Sequence, residues 1–362
     1  MKKVLQVNTT MNIGGIENFL LNVFTNINKE EFEFTILCYK NEEFDYEKRL
    51  IDLGCKFIKI NDPKKVGKKQ HYKEVLNVLK NNNFDVVHCH TYFDSAIVCY
   101  AAKKANVKIR IAHSHTTEGL NKVGIARKFK WKIAKIIINM TATHKLACSK
   151  EAGKALFGNT KYQVINNGID LKKYSYNEVL RNEIRKKYSI KNDEILIGHI
   201  GRFETAKNHI FIIDVLEQIV LKNPKYKLMF VGNGSLFEKI KEIVLEKKLD
   251  KNVIFIGSVL NPKIYYNAFD CFVFPSIYEG LGISLIEAQA NCLNCIASTN
   301  VPIESKITNN VEYLDLNKGI KYFADKVVNM KKTRDLEDQK IINESDYNIK
   351  KVVKEIEKIY NK

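Results

Sequence analysis

The feature that most constrains this chain is a rhythm. Short β-branched runs alternate with longer amphipathic stretches along nearly its whole length. Parallel strands buried on both faces and joined by crossover helices read this way, so the chain is α/β. In the first half, strands are expected at residues 3–7, 32–38, 56–60, 85–89, 107–113, 145–148 and 163–165. Asn166-Asn167-Gly168-Ile169-Asp170 then breaks the pattern with turn residues, and a charged stretch to about Asn192 leads into a second series at 195–200, 227–231, 253–256, 271–274 and 294–297. Two Rossmann-like, doubly wound sheets follow, in domains 1–170 and 171–340. Residues 341–362 carry a helix from about 348 to 360, expected to pack back on the first domain. After Ser298 the alternation weakens.

Open parallel sheets bind ligands at the carboxyl ends of their strands, where glycine turns and helix N-termini bring amide groups to phosphate. Four such turns stand out. Asn12-Ile13-Gly14-Gly15-Ile16-Glu17 follows the first strand, although a glycine pair there can be only a tight turn. Gly201-Arg202-Phe203-Glu204-Thr205-Ala206-Lys207 opens the second series. Its Arg202 can fork two phosphate oxygens, and Lys207 adds a point charge at the start of a helix. Val231-Gly232-Asn233-Gly234-Ser235 follows the next strand. Pro275 to Ala288 places two carboxylates, Glu279 and Glu287, eight positions apart, one in a glycine loop and one about a turn into a helix.

Taken together, Pro-Ser-x-x-Glu-Gly-x-Gly with Glu-x7-Glu, Gly-Arg-x4-Lys upstream and an N-terminal Gly-Gly-x-Glu, the chain resembles glycosyltransferase family 4 to about Ala297. The resemblance implies a GT-B fold, with two Rossmann-like domains facing a cleft. It implies a retaining transferase that moves a hexose or N-acetylhexosamine from a nucleotide-diphosphate sugar, with UDP expected. The acceptor would be a glycan or a polyprenyl-diphosphate-linked oligosaccharide in capsular, exo- or other cell-surface polysaccharide assembly. Arg202 and Lys207 would hold the diphosphate, Glu279 would face the sugar, and Glu287 would bond the ribose hydroxyls. Backbone amides of Gly280, Leu281, Gly282 and Ile283 would meet the sugar and distal phosphate. Gly201 and Gly232 would shape the nucleotide pocket, with base contacts near Gly257 and Ser258. Gly14, Gly15 and Glu17 would line the substrate side of the first domain. An acceptor-side histidine is His113 or His115; spacing does not decide between them, and His113 is favoured. One departure is the linker, Asn166-Asn167-Gly168 where the family usually has Pro-Asn-Gly. Front-face substitution is implied, with no cofactor and no metal, the clamp cations taking the place of a divalent ion.

The formal net charge is +18, of which residues 1–165 carry +13 and the remainder +5. Such a field suits phosphate-bearing partners or an anionic membrane face. No apolar run approaches the ~18 to 20 residues that span a bilayer, and residues 1–7 lack the core of a signal peptide. A cytoplasmic protein, peripheral at the inner membrane face, is therefore expected, docking through residues 122–138. A helical wheel there puts Ile125, Phe129, Ile133, Ile136 and Ile137 toward the sheet, and Arg127, Lys128, Lys130, Lys132 and Lys135 outward with Trp131 among them. The eight cysteines read as small hydrophobes. Cys292-Leu293-Asn294-Cys295 and His88-Cys89-His90 lack the other half of a zinc site, and alternation of strand faces gives the latter a structural reading. A GT-B-fold sugar-nucleotide epimerase would need an internal acid-base set. A dehydrogenase would need Gly-x-Gly-x-x-Gly after a strand, and a nucleic-acid binder a recognisable motif; no nucleic acid is expected as partner.

Overall fold

The computed structural model describes residues 1–116 and 125–362, with the side chains of the helix Ile125–Thr141 described from Lys128 onward. The chain forms two compact units, Met1–Ile169 with Ile349–Lys362, and Asp170–Asn348.

In the first unit, β1 (Lys2–Val7), β2 (Phe32–Cys38), β3 (Lys56–Lys59), β4 (Val86–Cys89), β5 (Ile109–Ser114), β6 (His144–Ala147) and β7 (Gln163–Val164) make one parallel sheet in the order β3-β2-β1-β4-β5-β6-β7. The central strands are buried on both faces, so that even Gln6 of β1 and His88 of β4 are enclosed. One face is covered by the helix Gly15–Asn26, through Phe19, Leu20, Val23 and Phe24, and by the terminal helix Ile349–Tyr360. That last helix spaces Ile349, Val352, Val353, Ile356, Ile359 and Tyr360 along one stripe, and all are buried. It lies so close to the chain at Gly168 that a Cβ there would come within 2.9 Å of Val352 Cγ2.

The second unit holds β8 (Ile195–Ile200), β9 (Tyr226–Val231), β10 (Val253–Phe255), β11 (Cys271–Phe274), β12 (Cys295–Ser298) and β13 (Val311–Leu314), in the order β10-β9-β8-β11-β12-β13. β13 escapes a reading by hydrophobic alternation. It is a four-residue edge strand, paired among the described residues only with β12 and carrying exposed Glu312. Both sheets wind outward for three strands and then return beside the first. This creates a crevice at the carboxyl ends of β1 and β4, and another at those of β8 and β11.

The helix Ile125–Thr141 corrects the helical wheel. Trp131 faces inward and stacks on Phe93, with ring centroids 4.6 Å apart, and Ala134 and Ile138 are buried on the same stripe. Phe129, Ile133 and Ile136, expected against the sheet, are 64%, 43% and 51% exposed, and Met140 is 69% exposed. The segment carries two apolar stripes. The one containing the indole buries the larger aromatic surface, so Phe129, Ile133 and Ile136 are left outside. Residues 122–124 and the side chains of Ile125 and Arg127 lie outside the described residues.

Candidate active site

In the second unit, four loops gather at the carboxyl edge of the sheet. After β8 the amide of Gly201 donates to Val231 O at 3.0 Å, and that of Phe203 to Asn233 O at 3.0 Å, so this loop runs beside the one after β9. Gly232 makes the approach possible. Its φ is +139°, and a Cβ on it would stand 2.1 Å from Gly201 O. The Gly232 amide in turn reaches Gly257 O at 2.9 Å, beside exposed Ser258. The loop after β11 is tied in by Ile277 N to Ala206 O at 2.8 Å and by Asn208 Nδ2 to Pro275 O at 3.1 Å.

The charged groups follow from this packing. Lys207 Nζ sits 2.6 Å from Glu279 Oε1, both side chains largely buried, and 4.7 Å from the centroid of the Phe274 ring. Arg202 is exposed on the same loop, where the amide and hydroxyl of Ser235, with a smaller contribution from the Arg202 charge, hold the Glu204 carboxyl below its usual range. After the Gly280-Leu281-Gly282 turn, the helix Ile283–Ala290 starts from Gly282, at φ +89°, with no capping side-chain hydrogen bond to its first amides among the described residues. Such an end is a ready anion site. One turn further, buried Glu287 accepts the hydroxyl of Tyr266 on Oε2 and of Tyr174 on Oε1, both at 2.7 Å. Burial pushes the Glu287 carboxyl above its ordinary pKa, and the two phenols oppose the shift. Tyr266 is itself held by Arg334, whose Nη2 donates to the carbonyls of Tyr266 and Phe269 at 2.9 Å.

In the first unit, four imidazoles pack together at the carboxyl ends of β4 and β5. His88 and His90 are two residues apart and share a face, so strand alternation brings their rings together, with centroids 4.3 Å apart. His113 lies 5.2 Å from His88 between ring centroids, and His115 lies 5.0 Å from His90. The turn at Gly14 and Gly15 starts the helix that carries Phe19, whose ring meets His113 and His115 at 5.5 and 5.4 Å. Glu17 folds back to accept from Asn8 Nδ2 at 3.0 Å. Gly14, Gly15, Glu17 and His115 therefore share this edge of the sheet. His113 is wholly buried, whereas His115 is half-buried at the strand end. Desolvation drives His88 down to about 3 and His115 to about 4, and holds His90 and His113 well below the ordinary value. Ring nitrogens of His88, His90 and His113 lie within 4.8 Å of one another. Five of those six nitrogens are already hydrogen-bonded, so the trio is a polar core rather than a ready ligand set.

Residues 13–173 match the family described as Glycosyltransferase Family 4, and residues 181–348 that described as Glycosyl transferases group 1. CapH of Staphylococcus aureus, a capsular polysaccharide biosynthesis glycosyltransferase, is 31% identical over 85% of this chain and 84% of its own. The chain belongs to glycosyltransferase family 4. An Escherichia coli family relative is 25% identical over 82% of this chain and 79% of its own, and is named UDP-Gal:alpha-D-GlcNAc-diphosphoundecaprenol alpha-1,3-galactosyltransferase. The fold of this family 4 enzyme is also that of Anabaena Alr3699/HepE in complex with UDP-glucose, at a TM-score of 0.81, 16% identity and 99% coverage of both chains. It is a glycosyltransferase of GT-B type.

Within this family 4 enzyme, the structure gathers Gly201, Arg202, Lys207, Gly232, Gly257, Ser258 and Glu279 to Ile283 at one sheet edge, with Glu287 just behind. Sequence reading missed Tyr174, Tyr266 and Arg334, which have no local motif; Tyr174 lies 113 positions from the carboxylate it bonds. It also passed over Gln6, Asn167 and Tyr360, which hydrogen-bond the histidines. The i, i+2 spacing in His88-Cys89-His90, repeated in His113-Ser114-His115, was a usable signal of the histidine cluster.

Proposed function

We propose that this enzyme transfers a hexose or N-acetylhexosamine from a UDP-sugar, with retention, to a polyprenyl-diphosphate-linked glycan at an anionic membrane face. The observation that carries the donor half is the meeting of Lys207 with Glu279 beside the open end of the helix Ile283–Ala290, at the point where the sheet order reverses. An incoming diphosphate draws Lys207 toward its oxygens and finds Arg202 and the first helix amides on the same edge. As the bond from anomeric carbon to phosphate oxygen breaks, the charge left on the diphosphate is stabilised by these donors. Each such donor is commonly worth ~2.7 to 4 kcal/mol in a preorganised site. Glu279 is engaged by Lys207, which argues against a free carboxylate nucleophile and for front-face attack. In that step the acceptor hydroxyl bonds the anomeric carbon on the departing side and yields its proton to the leaving phosphate. Glu287, steadied by two phenols, takes the ribose hydroxyls.

UDP is supported by the donor named for the Escherichia coli relative and by the ligand of the HepE structure. The polyprenyl acceptor is supported by the diphosphoundecaprenol in that relative's name. Because His113 is sealed in the core and His115 stands at the strand end, the acceptor-side role goes to His115.

Membrane docking rests on the stripe of Phe129, Ile133, Ile136 and Met140, flanked by exposed Lys128, Lys130 and Lys132. Beside it, Lys103 and Lys104 line a groove of about 420 Å³ with Tyr100, Ile137 and Met140. Apolar residues ringed by lysine suit the interface of an anionic bilayer. No described helix is long and apolar enough to cross a membrane.

The test is turnover of a panel of UDP-, GDP- and ADP-sugars, read by mass spectrometry with and without GlcNAc-diphosphoundecaprenol. Acceptor-dependent release of UDP is expected. Conversion of the donor to an epimer without acceptor would favour the epimerase reading instead.

A further inference from the structure

The histidine cluster is part of a longer structure that the transfer reaction does not by itself require. Its hydrogen bonds run in single file. His113 Nδ1 meets His88 Nε2 at 3.1 Å, and His88 Nδ1 meets the hydroxyl of Tyr360 at 2.8 Å. Tyr360 meets the amide of Gln6 at 2.8 Å, and the other end of that amide meets His90 Nε2 at 2.9 Å. His90 Nδ1 then meets His115 Nε2 at 2.8 Å, and His115 Nδ1 meets Asn167 Oδ1 at 3.1 Å. Seven side chains thus form one line from the core to the strand end, with Tyr360 of the terminal helix third in it.

A neutral imidazole donates from one nitrogen and accepts on the other. Fixing the direction of one bond therefore fixes the next. Followed from end to end, a line without a defect has two directions only. In one, every histidine carries its proton on Nδ1 and Gln6 turns its oxygen to Tyr360. In the other, every histidine carries it on Nε2, Asn167 turns its amide nitrogen to His115, and the buried Nε2–H of His113 at the end of the line meets no acceptor among the described residues. Amide orientation is an assignment that hydrogen-bond logic revises freely. Mixed arrangements leave a buried hydroxyl or ring N–H facing another donor, or two acceptors facing each other, a cost of about 1 to 3 kcal/mol.

We propose that Tyr360 is a positioning residue for His115: it joins the four imidazoles into one chain with a shared tautomer, so the nitrogen of His115 that bears the proton is tied, through the terminal helix, to those of the other three rings. Burial keeps all four rings neutral near pH 7, which the chain requires. Tyr360 is fully buried and reaches the cluster from the last turn of its helix, whose Val353, Ile356 and Ile359 anchor it in the core of the first unit. The tautomer matters for catalysis only if His115 serves the acceptor, so that consequence rests on the functional reading above; the chain itself does not.

The experiment is two-bond ¹H–¹⁵N correlation spectroscopy on protein with ¹⁵N-labelled histidine, which separates Nδ1–H, Nε2–H and charged rings. The chain has eight histidines, and His199 and His209 in the second unit serve as controls. In the wild type, His88, His90, His113 and His115 are expected to show one tautomer in common. In Tyr360→Phe, His115 is expected to become a mixture of tautomers, with the controls unmoved. Gln6→Met cuts the line on the other side of Tyr360 and is expected to do the same. Two tautomers among the four rings in the wild type, a charged ring at pH 7, or an unchanged His115 in the variants would overturn the proposal. Kinetics are read separately: Tyr360→Phe is expected to lower kcat several-fold with the UDP-sugar KM unchanged. If His115→Ala had wild-type kcat, the functional reading would fall while the spectra still judged the chain.

Discussion

Lys207 and Glu279 form an ion pair of 2.6 Å between the loops after β8 and β11, and both side chains are largely withdrawn from solvent. The carboxylate therefore fixes the cation at the sheet edge where the proposed function puts the donor diphosphate. The pair makes the two residues unequal in their effect on binding. Lys207→Ala is expected to lower kcat about 10² to 10³-fold, the usual loss for one such donor, and to weaken UDP more than UMP. Glu279→Gln is expected to lower kcat while leaving UDP affinity unchanged or tighter, because Lys207 is released to the phosphates. Calorimetry with UDP and UMP on both variants checks this.

The contact of Gly232 with Gly201 is a backbone one, so it tolerates no side chain. A Cβ would meet Gly201 O at 2.1 Å, at a φ of +139° that L-residues avoid. Gly232→Ala is expected to lower stability by about 1 to 3 kcal/mol and to weaken UDP binding by moving the Arg202 loop. Gly257→Ala, with φ +80° but nothing within 4 Å, is expected to cost stability with a smaller effect on that loop. Thermal unfolding with and without UDP distinguishes the two.

The Glu287 carboxyl has a pH signature. Burial raises its folded pKa, while Tyr266 and Tyr174 lower it. A raised pKa favours the protonated form in the folded state, so that stability is present below the unfolded carboxyl's value and is lost as pH rises through the folded one. Tyr266→Phe removes one opposing hydrogen bond and moves the midpoint further up. Its Tm deficit against wild type is expected to be small in acid and to grow toward neutral pH. A bond from a hydroxyl to a charged carboxylate is worth about 1.5 to 3 kcal/mol. Tm measured from pH 4 to 8 checks the slope.

What the sequence made legible follows from what is local. The strand runs, the two sheets and the glycine turns could be read because each depends on neighbours within a few positions, as in Gly201 to Lys207 or Pro275 to Ala288. β13 could not, since four edge residues, buried at Val311 and Leu314 and exposed only at Glu312, carry too little alternation. The orientation of the helix Ile125–Thr141 was misread because two apolar stripes compete, and only packing against Phe93 chooses Trp131. Partners such as Tyr360 with His88, 272 positions apart, leave no mark on either local stretch.

That helix gives a test of docking. Flotation with anionic liposomes is expected for the wild type at low salt. Phe129→Ser with Ile133→Ser, or Lys128, Lys130 and Lys132 all changed to Glu, should leave the protein in the soluble fraction. Trp131→Ala should float but unfold at lower temperature, because its indole is packed on Phe93. Flotation of the charge-reversed protein equal to wild type would remove this surface from the account.

The central claim is front-face transfer from a nucleoside-diphosphate sugar whose leaving group is held by Lys207, Arg202 and the start of the helix Ile283–Ala290. The most direct measurement is NMR of the anomeric proton of the first product formed from an α-linked UDP-sugar, before any mutarotation. An α-linkage in the product, with transfer lost in Lys207→Ala and Arg202→Ala, is the expected result. A β-linkage, or undiminished transfer in either variant, would contradict it.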